Sequence, residues 1–120
     1  MKGIITIGIL LIAILQSNSQ RRFDVQFMVD GRMRESIIVL PSTAPPSGGY
    51  PVVFMLHGTS GDGLKFYNIS GWKELGEEEN FITVFPSALS WCFVEDGIEK
   101  HLTRWVNGTV LDHPCSGPPQ

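Results

Sequence analysis

The sequence predicts an α/β domain whose sheet is incomplete: an antiparallel hairpin followed by a strand-helix-strand (βαβ) unit. Three observations support this. Alternating apolar and polar residues flank Asp30-Gly31, a dipeptide typical of tight hairpin turns. A continuous apolar run begins after Pro51, and a second one ends at Pro86. A helical pattern separates these two runs, and such a crossover makes the flanking strands parallel.

Residues 1–19 are expected to form a secretory signal peptide. Lys2 precedes the apolar run Ile4 to Leu15, and small or polar residues lead to a cleavage site after Ser19. The run is shorter than the roughly 20 residues of a membrane-spanning helix. An N-terminal anchor that is never cut is the alternative. We therefore predict an extracellular or periplasmic protein, with no membrane contact after cleavage.

The charge balance excludes some classes of partner. The formal net charge is 9 − 12 = −3, and without residues 1–19, which contain one Lys, it is 8 − 12 = −4. A mildly acidic chain lacks the basic surface that nucleic acids and anionic membranes require. The remaining 101 residues suffice for one small domain but are few for a complete α/β enzyme.

Residues 20–50 are predicted to hold the N-terminal hairpin and a loop. Phe23 to Val29 alternates as a strand does, and Ser36 to Leu40 supplies its partner. Pro41 ends the second strand. Four prolines and two glycines within residues 41–51 indicate a loop.

Residues 51–86 are predicted to form the βαβ unit. The apolar run from Pro51 to Leu56 indicates a strand buried on both faces, as in the centre of a parallel sheet. A helical pattern over residues 64–79 is broken at Ser70-Gly71. The β-branched and aromatic run Phe81 to Phe85 is the second strand.

Residues 87–120 are expected to be a long excursion tied by a disulfide. Cys92 and Cys115 are the only cysteines. In an oxidising compartment a disulfide between them is expected, and its closed loop is worth about 3 kcal/mol in the chain-entropy model. A zinc site is the alternative, although its spacing matches no compact motif; its ligands would be Cys92, His101, His113 and Cys115.

The loop after the first buried strand carries the predicted chemistry. His57-Gly58 would set a turn that presents the backbone amide of Thr59, and Ser60 and Gly61 complete the loop. A backbone N–H in a glycine-rich turn at a strand end can stabilise an oxyanion without reorganising. In this interpretation His57 is structural rather than a general base.

The order of these motifs resembles a known enzyme family. The stretch P-V-V-F-M-L-H-G-T-S-G-D-G…F-Y-N-I-S-G-W spans Pro51 to Trp72, and F-I-T-V-F-P-S follows from Phe81. Together with Trp91-Cys92, Thr103-Arg104-Trp105 and Pro114-Cys115, it resembles the polyhydroxybutyrate depolymerase and feruloyl-esterase-like group of the α/β-hydrolase superfamily. The resemblance covers residues 23–120.

The resemblance implies a secreted serine esterase with a Ser-His-Asp triad, acting on polyester or on aryl and acyl esters. It implies neither a cofactor nor a metal. No G-x-S-x-G nucleophile elbow occurs in the sequence, so no triad residue is assigned to any position. We therefore expect the N-terminal part of such an enzyme's sheet, inactive by itself.

Several residues have competing interpretations. Ser60 nearly fits an elbow, but its second glycine comes one place too early, so a loop hydroxyl is preferred. Gly58 and Gly63 have the spacing of a phosphate-binding loop, but Leu64-Lys65 replaces its Lys-Ser/Thr pair. His101 and His113 lie near Glu99 and Asp112, without a partner serine. Trp91 and Trp105 could form an aromatic wall of the substrate site, or alternatively pack on the disulfide. Asn68 and Asn107 lie in N-glycosylation sequons.

A second class of function stays open. A small secreted module could bind a polymer or a partner protein through exposed strand edges and the Trp91/Trp105 region. An unpaired sheet edge also favours aggregation. A G-x-S-x-G segment encoded beyond Gln120 would favour the enzyme, and abundant soluble protein ending at that residue would favour the module.

Overall fold

The computed structural model describes residues 19–105 and 113–114. The predicted signal peptide, except Ser19, lies outside the described residues, as do Asn107, Asp112 and Cys115. Within the described part, no helix has the length and apolar character needed to cross a membrane.

The chain begins with the hairpin predicted around Asp30-Gly31. Strands β1 (Arg21–Val29) and β2 (Arg32–Leu40) pair antiparallel, from Arg21 opposite Leu40 to Val29 opposite Arg32. Asp30 and Gly31 have φ values of 50° and 71°. Positive φ at both turn positions matches the twist of the two strands, which is why Asp-Gly suits this turn.

The first sheet contains four strands. After β3 (Val52–Phe54), the helices α1 (Gly63–Ile69) and α2 (Trp72–Glu78) lead to β4 (Ile82–Pro86). The strand order is β1-β2-β4-β3. β4 pairs antiparallel with β2 and parallel with β3, so β1 and β3 are the outer strands.

The helical segment is broken at Ser70-Gly71, as its sequence predicts. Asp62 caps α1, because its carboxylate accepts a 2.6 Å hydrogen bond from the Lys65 amide. Gly71 precedes α2 in the left-handed conformation, with φ 73°. Both helices contact β2 and β4.

The core lies between the two helices and one face of the first sheet. Its centre is Phe85, which has no exposed surface, and two aromatic rings of α1 meet it edge to face. The buried members of this cluster are Ile37, Val39, Met55 and Phe85, and the half-buried residues packed on it are Val53, Phe66, Tyr67 and Trp72.

Residues 87–120, predicted as a long excursion tied by a disulfide, contain regular strands in their described part. Strands β5 (Ser90–Glu95), β6 (Ile98–Thr103) and β7 (His113–Pro114) form a second, antiparallel sheet in the order β6-β5-β7. Asp96 and Gly97, with φ 53° and 74°, form a second hairpin turn. The mostly polar sequence of β6 does not signal a strand, because its first four residues are exposed and need no apolar face.

The predicted α/β class, the N-terminal part of an α/β-hydrolase sheet built on a βαβ unit, is also wrong. The structure is mostly β, with 44% strand and 16% helix, and consists of a mixed sheet and an antiparallel sheet. The physical reason lies in helix length and coverage. Each helix has only seven residues, and both pack on the same face, whereas an α/β sheet is covered by helices on both faces.

The apolar run before His57 does not form a central strand. In the described part of the chain β3 is an outer strand, and Val52, Phe54 and Leu56 are 50%, 65% and 56% exposed. Only Met55 is fully buried. An apolar run predicts that a strand has two apolar faces, but it does not specify that other elements cover both of them.

Candidate functional site

The predicted oxyanion loop follows β3 at its carboxyl end. The Met55 amide donates a 2.8 Å hydrogen bond to the Val84 carbonyl, which extends the pairing with β4 up to the loop. His57 comes next and is only 4% exposed. Gly58, Thr59 and Ser60 are exposed. The loop therefore has a buried root and an exposed tip.

His57 fixes the root of the loop through both ring nitrogens. The Ala88 amide donates to Nε2 at 3.0 Å, a bond that requires Nε2 to be unprotonated. Nδ1 then carries the proton and donates to the Gly58 carbonyl at 2.7 Å. With both nitrogens engaged inside the protein, His57 has none left to act as a general base.

The tip of the loop is a tight turn. The Gly61 amide donates to the Gly58 carbonyl at 3.1 Å, and Ser60 has a φ of 63°. The end of β6 holds this turn from outside: the Ser60 amide donates to the Thr103 carbonyl at 2.8 Å, and the Thr103 hydroxyl donates to the Gly61 carbonyl at 2.6 Å. The second sheet thus fixes the conformation of the loop.

The Thr59 amide, like that of Gly58, is a donor that this arrangement leaves available within the described residues. Hydrogen bonds engage the backbone of its neighbours, but in the described part of the chain none engages Thr59 N–H. Gly58 has open space around its Cα, because an added Cβ would meet no atom within 4 Å. The open space beside Gly58 and the exposure of residue Thr59 leave room for a ligand near this amide.

Ser60 lies beside Thr59 without an acid-base partner. His57 and His101 are the histidines whose side chains the structure describes. Both ring nitrogens of His57 are hydrogen-bonded inside the protein, and His101 lies next to Glu99 and Cys92 in the second sheet. This geometry gives Ser60 no general base among those residues.

The two tryptophans predicted as a substrate wall have different environments. Trp105 packs on His57, with ring centroids 5.0 Å apart, and its indole N–H donates to the His57 carbonyl at 2.8 Å. Trp91 lies in β5 and donates to the Arg104 carbonyl at 3.1 Å. Trp105 borders the loop, whereas Trp91 belongs to the second sheet.

Two of the predicted metal ligands, Cys92 and His101, lie opposite each other on β5 and β6. Cys92 is disulfide-bonded, and the chain has one other cysteine, Cys115, whose placement lies outside the described residues. The backbones of His101 and His113 are both in register with Cys92, one on each neighbouring strand. Asn68 is exposed on α1, where a glycan would not disturb the core.

Sequence reasoning missed a cavity of mixed polar and apolar lining on the β1 side of the first sheet, next to the end of β4. Residues of β1, β2 and α1 line it together with Ser87, and the Arg22 guanidinium donates to Asp24 at 2.9 Å. This hydrogen bond holds the pKa of the Asp24 carboxyl below its usual value. Arg22 also lies 4.5 Å from the centre of the Tyr67 ring. No local motif signals such a cluster, because its members come from separate elements.

Comparison of the chain with protein-family models, curated proteins and solved structures finds no match.

Proposed function

We propose that residues 57–61 form the oxyanion-binding loop of a secreted carboxylic-ester hydrolase, with the Thr59 amide as the hydrogen-bond donor. The proposed type is that of the polyhydroxybutyrate depolymerases and feruloyl esterases, which the sequence from Pro51 to Trp72 resembles. The observation that carries the proposal is the Thr59 N–H of an exposed residue, left without a partner inside the described residues while the amides of Ser60 and Gly61 on the same loop are hydrogen-bonded.

The physical support is preorganisation. A donor stabilises developing negative charge best when it is already in place and does not reorganise during the reaction. The anchored root at His57 and the bonds from Thr103 hold the Thr59 peptide in place. Removal of one such donor typically costs a factor of about 100 to 1,000 in kcat.

The proposed substrates are polyesters or aryl and acyl esters. Trp105 beside the loop offers an aromatic surface for their apolar part. Catalysis through a serine acyl-enzyme needs no cofactor, but it does need a nucleophile, an acid and a base. None of these is assigned to a position of this sequence, so the proposal requires a G-x-S-x-G segment elsewhere in the protein.

The experiment compares two substitutions at one position, in the protein as its gene encodes it. Thr59→Pro removes the N–H, whereas Thr59→Ala keeps it. For hydrolysis of p-nitrophenyl butyrate, we expect Thr59→Pro to lower kcat by about 100-fold or more with little change in KM. Thr59→Ala should stay close to the wild type. Circular dichroism and the urea midpoint establish that both variants fold.

A second variant covers the case in which Thr59→Pro does not fold. Gly58→Val retains every backbone donor and fills space that is open in the protein. It should impair turnover by crowding the approaching carbonyl. Full turnover by folded Thr59→Pro or by Gly58→Val, or turnover abolished by Ser60→Ala in the 120-residue chain alone, would overturn the assignment.

A non-catalytic binding module is the second candidate, favoured by the exposed apolar residues of the first sheet. Phe23, Ile38, Val84 and Phe54 form a row across all four strands; its end members Phe23 and Phe54 are 45% and 65% exposed, whereas Ile38 is half-buried and Val84 is buried. Such a surface suits an apolar polymer or a partner protein. Binding to insoluble polyester without any hydrolysis of soluble or insoluble esters would favour this candidate over the enzyme.

A further inference from the structure

A cluster of three metal-ligating side chains lies in the second sheet, away from the Thr59 loop. β5 and β6 pair with Cys92 opposite His101, and Glu99 lies two residues before His101 on the same strand. Residues opposite each other or two apart share one face of a sheet. The sulfur, one imidazole nitrogen and one carboxylate oxygen all lie within 4.8 Å of one another.

The distances among these atoms are close to those of a tetrahedral zinc site. With Zn–S near 2.3 Å and Zn–N near 2.05 Å, tetrahedral angles place sulfur and nitrogen roughly 3.6 Å apart. In the structure, Cys92 Sγ lies 3.7 Å from His101 Nδ1 and 3.8 Å from Nε2, and Nε2 is the nitrogen that also faces Glu99. The same nitrogen lies 3.1 Å from Glu99 Oε1, against roughly 3.4 Å in such a site. His101 and Glu99 are exposed, so small side-chain movements can close the remaining differences.

The oxidation state of Cys92 decides whether this cluster can bind a metal. Cys92 is disulfide-bonded, and a disulfide sulfur lacks the thiolate charge that zinc requires. A dithiol reductant can convert the disulfide into two thiols, taking up two electrons and two protons while the dithiol becomes a disulfide. Zinc binding then displaces the thiol proton of Cys92.

We propose that reduction of the Cys92 disulfide creates a Zn²⁺ site formed by Cys92 Sγ, His101 Nε2 and a Glu99 carboxylate oxygen, with water in the fourth position. Thiolate and imidazole together select zinc over Mg²⁺ or Ca²⁺, which prefer oxygen ligands only. Cys92 is 3% exposed, so the sulfur ligand lies on the buried side of the site. The disulfide and the zinc-bound form are mutually exclusive states of one sulfur atom. This inference is independent of the proposed esterase function.

The first experiment measures Zn²⁺ binding by competition with a chromophoric chelator, for oxidised and for phosphine-reduced protein. We expect one equivalent to bind the reduced chain and none to bind the oxidised chain. Cys115→Ser should bind zinc without any reductant, because it leaves Cys92 as a thiol. Co²⁺ in place of Zn²⁺ should give the thiolate charge-transfer band and intense visible bands of a tetrahedral site.

Ligand variants are tested in the Cys115→Ser background, with circular dichroism to verify folding. His101→Ala should weaken zinc binding by about 100-fold or more, since even an outer-shell change costs about 10- to 100-fold. Lys100→Ala is the matched control, an exposed neighbour on the same strand, and should bind zinc normally. Failure of reduced wild type and of folded Cys115→Ser to bind zinc, or normal binding by His101→Ala, would overturn the proposal.

A second experiment tests the linkage between the metal and the disulfide. The protein is equilibrated in a glutathione redox buffer, with free Zn²⁺ fixed by a chelator. A ligand at 100 times its Kd favours the form it binds about 100-fold. The ratio of reduced to oxidised chain should rise by that factor, and an unchanged ratio at saturating zinc would contradict the inference.

Discussion

At the scale of single residues, His57 and Gly63 fix the elements next to the candidate site, and Gly76 packs α2 against the start of β4. His57 joins the end of β3 to Ala88 through a buried hydrogen bond. Its carbonyl accepts a hydrogen bond from the Trp105 indole N–H. Gly63 brings α1 against the end of β4, and its amide donates to the Ser87 hydroxyl at 3.0 Å. Gly76 allows α2 to approach the backbone closely, because an added Cβ would lie 3.0 Å from the Phe81 carbonyl.

Gly63→Ala should destabilise the fold. An added Cβ would lie 2.3 Å from the carbonyl oxygen of Phe85, and this oxygen cannot move without displacing β4. Such overpacking costs about 1–3 kcal/mol or slightly more. Urea unfolding followed by circular dichroism measures the loss.

Gly48→Ala is the control for this substitution, because nothing lies within 4 Å of its added Cβ and its φ is not in the left-handed region. We expect its free energy of unfolding to stay within about 0.5 kcal/mol of the wild type. Equal effects of the two substitutions would show that close packing at Gly63 does not support the fold.

At the scale of elements, the outer strand β1 is the most exposed part of the first sheet. Eight of its nine residues are exposed, and one edge of its backbone has no neighbour in the described part of the chain. Phe23 and Phe27 are 45% and 50% exposed. An exposed, apolar outer strand is a template for pairing with another chain.

Phe27→Lys should reduce self-association without unfolding the protein. A charge on an outer strand opposes pairing between two sheet edges, and Phe27 contributes little to the core because half of its surface is exposed. Light scattering against protein concentration measures the effect, with the urea midpoint as the measure of stability.

Ile69→Lys provides the comparison, since Ile69 is 72% exposed but lies on α1. If both lysine variants lowered association equally, the cause would be general surface hydrophobicity rather than pairing along β1.

At the scale of the whole molecule, the two sheets meet at the Thr59 loop. The first sheet positions the root of the loop through His57 and Ala88, and the second sheet positions its tip through Thr103. Trp105, two residues beyond the end of β6, covers His57. The geometry of the candidate site therefore depends on docking of one sheet against the other.

Thr103→Val should loosen the loop while leaving each sheet intact. The substitution keeps the shape of the side chain but removes the 2.6 Å hydrogen bond to the Gly61 carbonyl. Loss of this bond should cost about 0.5–1.5 kcal/mol and increase hydrogen exchange at the Ser60 amide, which bonds to the Thr103 carbonyl.

Thr83→Val is the matched control, the same substitution at a threonine whose hydroxyl makes no such hydrogen bond. Thr83 is fully buried, and its hydroxyl has no hydrogen-bond partner among the described residues, so its removal should stabilise the protein by about 1 kcal/mol. Exchange at Ser60 should not change. Destabilisation by Thr83→Val, or unchanged exchange in Thr103→Val, would contradict this account of how the loop is held.

Local chemistry made part of this fold predictable. Asp30-Gly31 specifies its turn through left-handed φ values, Pro41 ends β2, and Ser70-Gly71 divides the helical segment. Each of these features depends on residues adjacent in sequence. The conformation of the Thr59 loop was partly predictable for the same reason, because glycine spacing indicates a turn after a strand.

The remaining features depend on contacts between distant residues. Nothing near Thr103 or Trp105 indicates that they hold residues 57–61, which lie more than 40 positions earlier. The apolar run before His57 likewise carries no information about which element covers it, and in the structure its outer face stays exposed.

The sequence by itself determined the turns, the strand ends and the division of the helical segment, because backbone conformational preference is a property of each residue and its neighbours. Only the tertiary structure decided the fold class, the outer position of β3 and the gathering of Cys92, Glu99 and His101. These depend on strand pairing and on packing between sheets, where the free energy comes from surfaces that meet only after the chain has folded.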